Sequence, residues 1–128
     1  MDHKIEVGAK GYHEIIVSYE ATAARYGSGL VEVFATPAMI ALMEYTCQCS
    51  IQEKLHEGYI TVGTEVNVKH LKATPIGMKV WCESELLAVE GRQLIFRVDA
   101  HDEKGKIGTG THKRMIVNSK NFMNRIGS

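Results

Sequence analysis

At 128 residues the chain has room for one domain, predicted to span residues 1–128, because domains usually run to about 100–200 residues. Hydrophobic residues make up 45% and charged residues 23%, a globular balance that excludes intrinsic disorder. Lys plus Arg (15) equals Asp plus Glu (15), and this zero net charge argues against nucleic-acid binding while suiting a chain that hides surface in an oligomer.

The first predicted strand covers residues 12–21, with Ile15, Val17 and Tyr19 on one face and Ile16 and Ser18 on the other. The glycines of Tyr26-Gly27-Ser28-Gly29 then predict a loop. Thr36-Pro37 reads as a helix start, since a threonine hydroxyl caps free amides and proline suits the first helical position. The helix is predicted to reach about Leu55 and to end near Gly58. From Pro37 to Cys47 it is apolar on nearly every side, the pattern of a helix buried all round.

The second half reads as strands over residues 59–71, 78–89, 93–101 and 107–118. Val62, Thr64, Val66, Val68 and His70 share the predicted inward face of the first of these. In 93–101, Leu94, Phe96, Val98 and Ala100 alternate against Ile95, Arg97 and Asp99. Thr74-Pro75-Ile76-Gly77, Glu90-Gly91 and Asp102-Glu103-Lys104-Gly105 supply the turns, and a short helix is predicted from Ser119. One strand, one long helix and four turn-linked strands make an α+β arrangement. A curved antiparallel sheet of about five strands around a central helix is the hot-dog fold.

No apolar run approaches the roughly 20 residues of a membrane span, so no membrane association is predicted. The N-terminal stretch Met1-Asp2-His3-Lys4-Ile5-Glu6 lacks the apolar core of a signal peptide, which predicts a cytoplasmic protein. Cys47, Cys49 and Cys82 are an odd number at no disulfide-framework spacing. The six histidines pair with no cysteine or carboxylate at zinc-site spacing, so no metal is predicted. No phosphate-binding glycine loop and no Gly-x-Ser-x-Gly elbow is present.

Glu44 is the one charged residue between Pro37 and Gln52. A carboxylate on such an apolar helix is costly unless paired, and burial is how one is tuned for acid–base work. The alternative is a structural glutamate bonded to backbone or to a tyrosine. His70 ends an apolar face just before a turn, where it could line a cleft or rest on a backbone carbonyl. Thr36 is accounted for by helix capping, although a helix start also presents amides suited to polarising a carbonyl. His112 and Arg114 share a strand face with Gly108 and Gly110, a row read as outward and polar unless the glycines admit a ligand or another backbone. Lys69, Lys72 and Lys79 read as a solvated face.

Together these residues form a recognisable series. Val33-Phe34-Ala35-Thr36, Ala41-Leu42-Met43-Glu44-Tyr45, Gly63-Thr64 and His70-x-x-Ala73-Thr74-Pro75-x-Gly77 resemble the fluoroacetyl-CoA thioesterase-like family of hot-dog proteins. So do Val89-Glu90-Gly91-Arg92, Val98-Asp99-Ala100-His101-Asp102 and Ile107-Gly108-x-Gly110-Thr111-His112-x-Arg114. The resemblance runs from about Val17 to Phe122 and keeps the family separations of eight residues from Thr36 to Glu44 and 26 from Glu44 to His70. It implies a homodimer that hydrolyses a small acyl-CoA thioester to the free acid and coenzyme A, without a further cofactor. It implies that Thr36, Glu44 and His70 are catalytic and that Gly63 and Arg114 lie around the substrate. The family's aromatic-rich lid is replaced here by Gly27-Ser28-Gly29-Leu30, which leaves the acyl group open. The alternative is a noncatalytic protein that holds an acyl-CoA or another small ligand in the same pocket.

The helix bears on assembly. Glu44 lies about 12 Å along the helix from Thr36 and about 80° around it, too far for one helix to bring both groups readily to one carbonyl. Two chains meeting across a two-fold axis would resolve this with composite sites.

Overall fold

Alternation builds the sheet. In the strand Gln93–Asp102 (β4) Leu94, Phe96, Val98 and Ala100 share one face, as predicted, and all are fully buried, with Arg97 turned to solvent. Four more strands flank it in a computed structural model that describes residues 3–127: β1 (Lys10–Ile16), β2 (Tyr59–His70), β3 (Lys79–Glu90) and β5 (Gly105–Asn118). Their order across the sheet is β1-β3-β4-β5-β2, and every neighbouring pair is antiparallel. β1 and β2 are therefore the edges. Met1 and Asp2, which open the predicted leaderless N-terminus, and Ser128, which closes the predicted domain, lie outside the described residues.

The helix α2 (Thr36–Gln52) packs on one face of this sheet through Ala38, Met39, Leu42, Met43, Cys47 and Ile51. Burial all round is corrected: Ala41, Tyr45 and Cys49 face solvent, and Tyr45 is 50% exposed. A single five-stranded sheet covers only one side of a helix, however apolar the other. Gly108 allows the close fit, because a Cβ there would lie 2.5 Å from Met39 Sδ. The helix stops at Gln52, three residues before the predicted end, and the chain turns at Gly58 with φ +87.

The first strand is shorter than predicted. Beyond Ile16 the chain leaves the sheet, forms a 3-10 turn (Tyr19–Ala21) and then a short helix α1 (Ala23–Tyr26) capped by the Thr22 side chain on Arg25 N–H. A C-terminal helix α3 (Ser119–Ile126) follows β5, capped by the Asn118 side chain.

One irregularity matters for the site. The β2–β5 ladder shifts register between Gly63 and Glu65, a β-bulge that leaves Thr64 without a ladder partner. Before it, Thr61 is buried and Gly63 pairs with Arg114; after it, Val66 pairs with His112 and His70 with Gly108. The predicted single inward row Val62-Thr64-Val66-Val68-His70 is corrected accordingly: Val62 is only half-buried and Thr64 is exposed.

Candidate active site

Two groups of side chains meet α2. At its first turn the Thr36 hydroxyl lies 2.7 Å from His70 Nδ1. Thr36 is not the cap predicted for it: Ala35 holds the cap position, no side-chain cap bond forms, and the hydroxyl is spent on the histidine. Several contacts bring the pair together. Ala35 N–H donates to the Ala21 carbonyl and Phe34 N–H to the Thr74 carbonyl, both at 2.8 Å, while Leu71 N–H donates to the Ile107 carbonyl at 2.7 Å. Phe34 thus ties the lead-in of Thr36 to the loop that leaves His70, while Leu71 anchors the start of that loop on β5.

That loop is clamped by Asp102, whose carboxylate accepts from Thr74 Oγ1 and Lys104 N–H, each at 2.8 Å, and lies 3.4 Å from Lys72 Nζ. Burial alone would raise the Asp102 pKa, but these donors and the Lys72 charge outweigh it and hold it below the ordinary carboxylate value. Burial lowers the His70 pKa, opposed by the nearby Lys72 backbone, so the imidazole is neutral at pH 7. Its Nε2 is buried and makes no hydrogen bond of ordinary geometry. With the proton on Nε2, Nδ1 accepts from the Thr36 hydroxyl. A cleft of about 310 Å³ opens beside the pair, lined also by Phe34, Leu71 and Lys72.

The second group lies two turns along α2. Glu44 is half-buried, and it makes no hydrogen bond and no ion pair among the described residues. Its carboxylate faces Gly63: a Cβ there would sit 2.7 Å from Glu44 Oε2, 3.2 Å from His112 Cε1 and 3.5 Å from Arg114 Nη1. His112 and Arg114 are only 1% and 7% exposed, so the outward reading of their row is corrected. The glycines of that row admit neighbouring groups of the fold: Met39 over Gly108 and the Asn67 carbonyl over Gly110. Arg114 Nε donates to Thr61 Oγ1 at 2.8 Å, and Nη2 donates to the Thr61 carbonyl at 3.0 Å.

Gly63 and His70 both face α2 because the bulge between them reverses the alternation of β2. Thr61 and His112 were missed as site residues. The row Gly108-Gly110-His112-Arg114-Ile116 could have signalled it, because it ends on an apolar residue while the opposite row carries Thr109, Thr111 and Lys113. Cys47 and Cys82 are packing groups: burial pushes Cys47 up to about 12 and Cys82 up to about 11, far from thiolate chemistry at neutral pH. Among the described residues no three His, Cys, Asp or Glu side chains gather as a metal site, and no helix is long and apolar enough to cross a membrane.

The architecture is that of hot-dog proteins. A hot-dog-like protein from Thermanaerovibrio acidaminovorans superposes with a TM-score of 0.86 at 25% identity, over 94% of this chain and 90% of that one. The profile of the fluoroacetyl-CoA-specific thioesterases (FlK) matches residues 17–120, and the chain belongs to this family. A fluoroacetyl-CoA thioesterase of Streptantibioticus cattleyicolor is 44% identical over 91 residues, which span 71% of this chain and 66% of the relative's length. A solved FlK structure superposes with a TM-score of 0.91 at 36% identity over 96% of each chain. Another, in complex with fluoroacetate and CoA, superposes with a TM-score of 0.87 at 36% identity, over 92% of this chain and 99% of that one.

Proposed function

We propose that the protein hydrolyses a small acyl-CoA thioester to the free acid and coenzyme A. The observation that carries this reading is Glu44: a carboxylate with no hydrogen bond or ion pair among the described residues, facing a glycine and the Arg114 guanidinium. Such a group is free to act on water or on a carbonyl carbon. In the water route Glu44 takes a proton, the hydroxide adds to the thioester carbonyl, and the C–S bond breaks with its electron pair on sulfur. The proton held by Glu44 returns through His70 to the departing thiolate, so both side chains end as they began; Thr36 orients the imidazole, and the free amides at the start of α2 polarise the carbonyl oxygen. Gly63 and Arg114 surround the acyl group. Direct attack by Glu44 would instead give an anhydride, and oxygen-18 from water would enter Glu44 during a single turnover. These groups supply the chemistry without a cofactor.

Assembly follows from the same separation. Thr36 and His70 lie about 12 Å along α2 from Glu44, and β2 is an open edge. We propose a homodimer in which two β2 strands pair antiparallel about a two-fold axis at Asn67, with the Thr64 bulge taking up one residue. That register sets His70 of one protomer opposite Gly63 of the partner subunit, so Thr36 and His70 work with Glu44 of the partner subunit. Three free cysteines suit the reducing conditions of the cytoplasm.

Thiol release from short, branched and aryl acyl-CoA substrates tests the reaction and sets the acyl group. Glu44→Gln and His70→Ala should each lower turnover by about tenfold to a hundredfold or more. Full activity in both variants would refute the assignment. Binding without thiol release for every substrate would make the protein a noncatalytic ligand carrier. Mixing the two variants tests the dimer: a heterodimer holds one site with both groups intact, and activity returns only if sites are shared.

A further inference from the structure

His112 occupies a position the proposed chemistry does not use. It is fully buried on β5 between β2 and α2. Its Nδ1 lies 2.8 Å from the Glu65 carbonyl oxygen, which only accepts, so Nδ1 carries the proton. Its Nε2 lies 3.1 Å from Arg114 Nη1, which only donates, so Nε2 presents its lone pair. Both neighbours thus demand the same neutral tautomer, and an imidazolium would set two donors and two positive charges against each other. The Glu65 carbonyl belongs to the bulge itself.

The contact matters because of what Arg114 faces. Of the five N–H groups of a guanidinium, Arg114 commits one to Thr61 Oγ1, one to the Thr61 carbonyl and one to His112. One N–H on each terminal nitrogen remains, and Nη1 borders the position a Cβ at Gly63 would fill, which Glu44 borders from α2. Without the His112 acceptor, Nη1 would lose the contact that holds it there.

We propose that His112 is a positioning residue of the acyl-CoA site: a neutral acceptor, locked by the bulge carbonyl, that aims the Arg114 guanidinium at the acyl group over Gly63. The identity of the ligand rests on the thioesterase reading; the lock on Arg114 does not.

Two measurements test it. In the unliganded wild-type protein, nitrogen-15 spectra of the imidazoles should find His112 protonated at Nδ1 and bare at Nε2 at pH 7. A proton on Nε2, or a cation, overturns the proposal whether or not the protein is an enzyme. The second uses two variants. His112→Gln places an acceptor near the Nε2 position, whereas His112→Asn keeps the Nδ1 donor for Glu65 and loses the reach to Arg114. The Asn variant should lower kcat/KM by about tenfold to a hundredfold, the effect of one hydrogen bond to a charged group, with the Gln variant close to wild type. In an Arg114→Gln background the Asn substitution should have no further effect, as for residues acting through one another. Any other order of the two variants, or additive losses in that background, overturns the proposal. A wild-type protein that releases no thiol from any acyl-CoA defeats the thioesterase reading and leaves the spectra to decide this one.

Discussion

Replacing Gly63 with alanine separates catalysis from stability. The added methyl would sit 2.7 Å from Glu44 Oε2, against an ordinary contact of about 3.5 Å, so the carboxylate must retreat by about 0.8 Å. It can do so cheaply, because Glu44 is the end of a flexible side chain with no hydrogen bond to break. Gly63 is also absent from the positive-φ glycines, so alanine fits its backbone and restricts the unfolded chain, a gain of about 0.4–1 kcal/mol. A displacement near 1 Å of a reacting group costs about a hundredfold in rate. Gly63→Ala should therefore lower kcat/KM by about tenfold to a hundredfold while Tm stays within about 5 °C of wild type. Thiol release and thermal melting followed by circular dichroism read the two effects. Full activity would refute the placement of Glu44 at the reacting atoms. A large loss of Tm would show that the carboxylate, or the buried His112 ring whose Cε1 lies 3.2 Å from the new methyl, cannot give way.

Three further outcomes are expected. Thr36→Val should reduce turnover by about tenfold yet leave the helix intact, with Tm within about 2 °C of wild type, since the hydroxyl serves His70 and not the cap. Asp102→Ala strands the Thr74 hydroxyl and the Lys104 N–H and should cost about 2–4 kcal/mol in urea unfolding; because the Asp102 pKa is depressed, the stability it supplies is present above the unfolded value near 3.8 and is lost as pH falls below it. His112 is held below 6.5 first by burial and also by the Arg114 charge, against the Glu65 carbonyl, so below pH 6.5 the unfolded chain takes up a proton the native one refuses. Urea midpoints should fall from pH 7.5 to 5.5, and His112→Gln should flatten that fall.

The fold was legible because its signals are local. Period-two alternation in residues 93–102 and glycine turns at Gly91 and Gly105 mark the central hairpins, and Thr36-Pro37 marks the start of α2 within a residue. What failed was context. The chain around Val17 is apolar because it buries that residue beneath a turn, not because the strand continues. Thr36 was assigned to its own helix because capping is a local bond, whereas its partner His70 lies 34 residues away. The inward burial of Arg114 depends on Thr61, 53 residues distant, and on a histidine tautomer set by a third strand position. No spacing within β5 alone contains that information.

The bulge in β2 settles a question of parity. Gly63 and His70 lie seven positions apart, and over that odd offset an uninterrupted strand would turn them to opposite sides of the sheet. One surplus residue, Thr64, reverses the count midway, so the glycine that exposes Glu44 and the histidine that meets Thr36 both look at α2. Deleting Thr64 would restore a continuous ladder and force a choice. Either Thr61 and Gly63 would keep their side, or Val66, Val68 and His70 would. A shortened chain could still fold around whichever half wins, but it would carry half a site.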